Sequence, residues 1–299
     1  MSNLQLLFDA PVLLVQLIAD GILVGSIFAL AAYGMALVWG VMNVINIAQG
    51  EFVMIGGYVT YTLYSLGVHP LLGVPAAAIV LFVLGWAIYR LVIFRVVDRD
   101  LFVSLLATFG LSILIQQLLN QIFTSDVQSA DSGLDTLFLF DGMVTVPHIK
   151  VVAFVLTLAI AGCLVVFLKS SRLGQAIRAT AQNARAARIL GIDTDRVYAA
   201  TYALNAALCG AAGALVVMTW VIQPFQGLAY TVRSFMIVVV AGLGNLPGVI
   251  VSAFGLGAAE NLAGFILGAE FQIAFVFGLL VVVLLVRSHR LKRQRRYLK

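Results

Sequence analysis

"IKVVAFVLTLAIAGCLVVFL", residues 149–168, carries one charge, Lys150, in twenty positions. Twenty helical residues at about 1.5 Å each span roughly 30 Å, the hydrocarbon thickness of a bilayer. The run is unbroken and does not alternate, so it reads as a membrane-crossing helix and not as a barrel strand. Working outward, further apolar runs occupy residues 21–41, 52–66, 71–94, 101–123, 197–221, 232–243, 248–267 and 271–286. Run 52–66 is short for a crossing and needs a thinned bilayer, tilt or a partly re-entrant path. Residues 3–19 form either an interfacial helix or an extension of the first run.

The whole chain agrees. It has 299 residues, 10% of them charged, and a mean hydropathy of +1.07. A soluble domain carries roughly 25% charged residues, so a multi-pass membrane protein is expected. The fold class expected is all-α, a polytopic transmembrane bundle of about 8–9 spans, in one domain over residues 1–299.

Charge sets the expected orientation. Arg90, Arg95 and Arg99 lie in one loop. Lys169, Arg172, Arg178, Arg185, Arg188 and Arg196 lie in segment 169–196, and Arg287, Arg290, Lys292, Arg293, Arg295, Arg296 and Lys299 in tail 287–299. These are sixteen of the eighteen Lys and Arg residues and leave Lys150 and Arg233. The positive-inside rule makes all three regions cytoplasmic, the C-terminus included. Loop 125–147 holds Asp126, Asp131, Asp135 and Asp141 without a cation, which suits the periplasmic side. The net charge of +5 is thus explained by orientation and lipid, without nucleic acid. Cys163 and Cys209 sit in apolar runs and read as reduced packing residues. His69, His148 and His289 are too scattered to form a metal site.

One polar stretch interrupts this pattern: "NARAARILGIDTDRV", residues 183–197. Asn183 is a good N-cap and Gly191 a good residue just past a helix end. Between them a short helix puts Ala186, Ile189 and Leu190 on one side, with Ala187 at its edge and Arg185 and Arg188 pointing away. Such a helix either lies on the bilayer surface or slots into a groove on another protein.

"AARILGI" resembles the coupling motif of ABC importer permeases, with Arg185 where an acidic residue is usual. The wider string "GQAIRATAQNARAARILGIDTDRVYAATYALNAALCGAAGAL" resembles the branched-chain amino acid permease family of binding-protein-dependent importers, and within it the LivH type. "GSIFALAAYGMALVWGVMNVINIAQGEFVMIGGY" is similar to that family's N-terminal stretch, with Gln49 where His is common, and "AGLGNLPGVIVSAFGLGAAE" to its late Gly-rich turn. The resemblance covers roughly residues 15–287. It implies a cytoplasmic coupling helix, with Arg178, Asn183, Arg185, Ala186, Ala187, Leu190 and Gly191 at the ATPase contact. It also implies two ABC ATPase subunits carrying ATP and Mg, a second related permease, a periplasmic solute-binding protein and a bacterial inner-membrane location. The chain has no G-x-x-x-x-G-K-[ST] loop, so it is expected to bind no cofactor and to receive its energy from a partner.

Polar residues within the runs are candidates for the translocation path or gate. Asn43, Asn46, Gln49 and Glu51 cluster at the inner end of the first run. Asn43 and Asn46 share a face if the helix continues that far, and Glu51 is expected at headgroup depth, where a charge costs less. Asn245 lies in the helix break "GLGNLPG", and Glu260 lies inside a span and must face protein or water. The competing reading is interface capping and helix–helix hydrogen bonding. Gln116, Gln117, Asn120 and Gln121 read as an outer vestibule or a wet helix end. No Ser/His/Asp set or H-E-x-x-H points to an enzyme. The function expected is transport of branched-chain or other apolar amino acids. Urea, short-amide or sugar import, an uncoupled channel and a secondary carrier are the alternatives.

Overall fold

The computed structural model describes residues 7, 11–97, 99–139, 144–242 and 244–297. Asp141, Lys299 and most of the stretch before Pro11 fall outside these. The tail is helical to Tyr297, but the side chains of its cations are not described.

Among the described residues, eleven α-helices with defined bounds run in order: α1 Pro11–Met42, α2 Gln49–Ser65, α3 Gly73–Leu91, α4 Leu101–Phe123, α5 His148–Ser170, α6 Arg172–Gln182, α7 Ala184–Ile189, α8 Thr194–Thr219, α9 Gly227–Ala241, α10 Leu246–Leu267 and α11 Phe271–Tyr297. Seven helical stretches among the described residues are long and apolar enough to cross a membrane. The nine runs read from the sequence differ by two: α2 is 17 residues long, and the apolar part of α11 ends at Val286.

The bundle is organised round α8. Its apolar window is 89% buried, whereas no other span exceeds 44%, so α8 is the hub and the rest form its wall. The cause is the small-residue string "CGAAGA" at 209–214, which lets neighbouring backbones approach. A Cβ at Gly210 would overlap the Ala77 carbonyl of α3, and one at Gly213 the Val53 carbonyl of α2. Packing explains "CGAAGA", as expected. α1 and α10 run antiparallel: the Tyr33 hydroxyl donates to the Leu246 carbonyl at 3.0 Å, and Asn261 Nδ2 to the Leu17 carbonyl at 2.9 Å.

The connection from α1 to α2 is not helical. Asn43 takes a left-handed φ of 52°, and residues 43–46 have no regular structure. Asn43 is exposed and Asn46 fully buried, so the shared helical face expected for them does not exist. α2 begins at mid-depth: Gln49 reaches Ala31 in α1 and Cys209 halfway along α8. The short run is thus entered through non-helical backbone, and its helix starts inside the bundle.

Loop 125–147 holds a small hairpin that the sequence reading treated only as polar loop. β1 (Thr136–Leu139) pairs antiparallel with β2 (Val144–Pro147). β1, TLFL, does not alternate, and β2, VTVP, is at the lower length limit for reading alternation. The loop is stitched to the end of α8 by paired backbone bonds between Gln128 and Ile222, at 3.0 and 2.8 Å.

Candidate functional site

Opening a helix at mid-depth frees backbone groups that lipid cannot satisfy. Two threonines take them up. Thr108 of α4 donates to the Ile45 carbonyl at 3.1 Å and accepts from Ile47 N–H at 3.2 Å. Thr231 of α9 donates to the Ile47 carbonyl at 2.9 Å and accepts from Gly50 N–H at 2.8 Å. Neither threonine was singled out from sequence, since a lone Thr in an apolar run carries no signal.

Around this break lies a buried polar cluster. Gln49 Nε2 donates to the Ala31 carbonyl at 2.7 Å and to Cys209 Sγ at 3.0 Å. Asn46 Nδ2 donates to Gln49 Oε1 at 3.4 Å, and the Tyr202 hydroxyl to Asn46 Oδ1 at 3.5 Å. Glu51 is 1% exposed, in the first turn of α2. Its expected headgroup depth is therefore corrected: the half-helix starts inside the bundle and carries Glu51 with it. Ser112 donates to Glu51 Oε1 at 3.2 Å, while Oε2 has no hydrogen-bond partner among the described residues. Asn205 of α8, fully buried, also leaves Nδ2 unpartnered there. Asn46, Gln49 and Glu51 thus come together, and Asn205, Ser112 and Tyr202 join them.

The cluster is closed by a glycine contact. A Cβ on Gly50 would overlap the Gly227 carbonyl, and one on Gly227 would overlap the Glu51 carboxylate. Gly50→Ala should force α2 from α9 and cost about 1–3 kcal/mol, the usual penalty for overpacking. Gly162→Ala, at a position with open space around it, should stabilise by up to about 1 kcal/mol through helix propensity. Thermal melting of the detergent-solubilised protein reads both, and equal shifts would remove the close-packing account.

A second set of charges lies at the far end of the bundle from segment 169–196, beside the C-terminal end of α8. Glu260 of α10 is 6% exposed and accepts from Arg233 Nε of α9 at 3.0 and 3.1 Å, with a further bond from Nη2. Asp20 of α1 pairs with Lys150 of α5 at 2.5 Å and accepts from Asn261 at 3.3 Å. Arg233 and Glu260 line a cavity of about 310 Å³ together with Asp20, Asn261, Phe28 and Trp220. The sequence flagged Glu260 but not its partner. The signal was present: Arg233 and Lys150 are the two cations left over from the basic regions, and each has found a carboxylate.

Asn245 belongs to neither set. It is exposed and caps α10, with Oδ1 accepting from Gly248 N–H at 3.1 Å, after a turn that uses positive φ at Gly242 and Gly244. Its side chain serves as a helix cap. Gln117 and Gln121 are exposed and Asn120 accepts from Ser125 at 2.8 Å, as a wet helix end requires.

The polar segment is built as its sequence dictates. Asn183 Oδ1 accepts from Ala186 N–H at 3.0 Å. Gly191 takes φ 85°, and the Gly191 and Ile192 N–H groups bond the Arg188 and Ala187 carbonyls at 3.0 Å each, a Schellman closure. Arg188 Nε donates to Thr194 at 2.6 Å, tying α7 to the start of α8, so Arg188 does not simply face away. Ala186 is exposed, and Ile189 and Leu190 are each 80% exposed. Ala187 is 3% exposed, which corrects its assignment to the outward contact: it anchors α7 to its own chain. Arg178 and Arg185 are exposed, and Arg178 reaches back to the Lys169 carbonyl at 3.4 Å.

Long apolar helices, packed round a broken backbone and a buried polar cluster, define a polytopic helical membrane protein. The model of the branched-chain amino acid transport system permease component matches residues 17–284, and the chain belongs to that family. It is 32% identical over 289 residues to the high-affinity branched-chain amino acid transport system permease protein LivH of Salmonella typhimurium, covering 91% of this chain and 92% of that protein. It is 31% identical to the corresponding BraD protein of Pseudomonas aeruginosa, covering 91% and 93%. It is 28% identical to the probable LivH protein of Methanocaldococcus jannaschii, covering 91% and 88%. No solved structure matches the chain. The resemblance of the wider strings to the branched-chain amino acid permease family is therefore borne out over most of the chain.

Proposed function

We propose that this chain is the membrane-spanning permease subunit of an ATP-driven ABC importer that carries branched-chain or other apolar amino acids from a periplasmic solute-binding protein into the cytoplasm. Two ABC ATPase subunits, holding ATP and Mg, and a second related permease complete the machine in the bacterial inner membrane, with the C-terminus cytoplasmic.

The observation that carries this reading is α7. A helix capped at both ends, anchored by Ala187 and tied by Arg188 to the hub helix, still holds Ile189 and Leu190 out at 80% exposure. Such a helix is a rigid lever with an apolar tip. A push on it reaches α8 directly, and α8 touches the polar cluster through Tyr202, Asn205 and Cys209. Rigid-body motion of packed helices is the standard form of such a switch. The family assignment supports the substrate, since the relatives' names specify branched-chain amino acid transport.

Proteoliposomes holding the assembled permease and ATPase subunits test the reading, with ATP enclosed and binding protein outside. Labelled leucine should accumulate only when both are present, and urea and a pentose should not. Leucine entry at equal rate without ATP would make the chain a channel.

A further inference from the structure

The Arg233–Glu260 pair has no structural necessity. Well-packed apolar side chains stabilise a buried position as well as an ion pair does, or better. Here the pair instead lines a cavity of about 310 Å³, at the low end of the roughly 300–1,000 Å³ usual for small-ligand sites. The guanidinium is held in place: its carbon lies 5.1 Å from the Phe28 ring centroid and 5.7 Å from that of Tyr230. Its bonds to Glu260 use Nε and Nη2, so the carboxylate does not engage Nη1. Phe28 stacks on Trp220 at 6.1 Å, and the two rings form an apolar wall of the same cavity.

The charges balance. Asp20 and Glu260 are negative, Arg233 is positive, and Lys150 neutralises Asp20 at 2.5 Å. A ligand of net charge would leave one charge uncompensated in a poorly solvated place. A zwitterion does not, because it brings an anion to the guanidinium and a cation to the carboxylates.

We propose that this cavity is a transit site for the free zwitterion of an aliphatic α-amino acid. The ligand carboxylate bonds Arg233, its ammonium bonds Glu260 and Asp20, and its side chain lies on Phe28 and Trp220. The proposal rests on the amino-acid reading above for its substrate class. The cavity lies where α8 ends and α11 begins, away from the coupling segment, so the site receives the solute before the polar cluster round Glu51 does.

The test places a cysteine at the cavity rim, Ile273→Cys, in a Cys163→Ser background, because Cys163 is exposed and Cys209 buried. The assembled complex is treated with a charged thiosulfonate reagent, without ATP. L-leucine at millimolar concentration should slow modification at least fivefold. Leucinamide, which lacks the carboxylate, and urea should leave the rate unchanged. Arg233→Lys keeps the charge opposite Glu260 but loses the fork, and should weaken protection about tenfold. An unchanged rate with leucine overturns the site, and equal protection by leucinamide or urea overturns the zwitterion assignment. The two proposals separate cleanly. Protection in a complex without ATP-driven uptake sinks the importer and leaves the site standing, whereas uptake with an unprotected cysteine does the reverse.

Discussion

Replacing Ile189 and Leu190 together with glutamate abolishes ATP-driven uptake and releases the ATPase subunits, while the chain still inserts and folds. Both side chains are 80% exposed, so the fold of this chain gains almost nothing from them. A partner that covers them gains about 1.5–3 kcal/mol from each. Two carboxylates in the same groove remove that gain and add the cost of burying unpaired charge. The sum exceeds about 4 kcal/mol, on the order of a thousandfold in affinity. Co-purification of the ATPase subunits and leucine uptake read the loss, and an unshifted melting temperature shows that the permease is intact. Retained association would mean that α7 rests on lipid. Ala187 does not serve this test: it is 3% exposed, and a bulky residue there damages the permease's own packing.

Glu260→Leu destabilises the protein by about 3–5 kcal/mol, because it strands the Arg233 guanidinium in a poorly solvated wall. The double change Arg233→Met with Glu260→Leu recovers most of that stability, since an apolar pair needs no partner charge. Uptake is lost in both, because the transit site loses its fork in one and its carboxylate in each. Melting curves for the two variants, compared with uptake, check this. A single variant as stable as the parent would mean that water in the cavity already solvates Arg233.

Local features were legible in the sequence. The long runs gave the all-α membrane bundle, because span length is set by hydrocarbon thickness. Asn183 and Gly191 gave both ends of α7, because caps depend on residues three or four apart. The small residues at 209–214 announced close helix contact. Depth was harder to read. Run 52–66 looked like a short span, yet α2 starts at mid-bundle, where Thr108 and Thr231 close its open backbone from two other helices. Run 232–243 was started too late, at Val232, although it already included Arg233. The helix begins at Gly227 and tolerates Arg233 because Glu260 lies opposite.

By itself the sequence determined which segments are apolar, where they break, and that a polar segment stands outside the membrane-crossing set. Only the tertiary structure decided how deep Glu51 sits, that Ala187 faces inward, and that Arg233 meets Glu260 across 27 residues and Lys150 meets Asp20 across 130. The reason is energetic: a helix cap or an apolar run is stable on local terms, but a charge in a bilayer is tolerable only with a partner, and partners are supplied by folding.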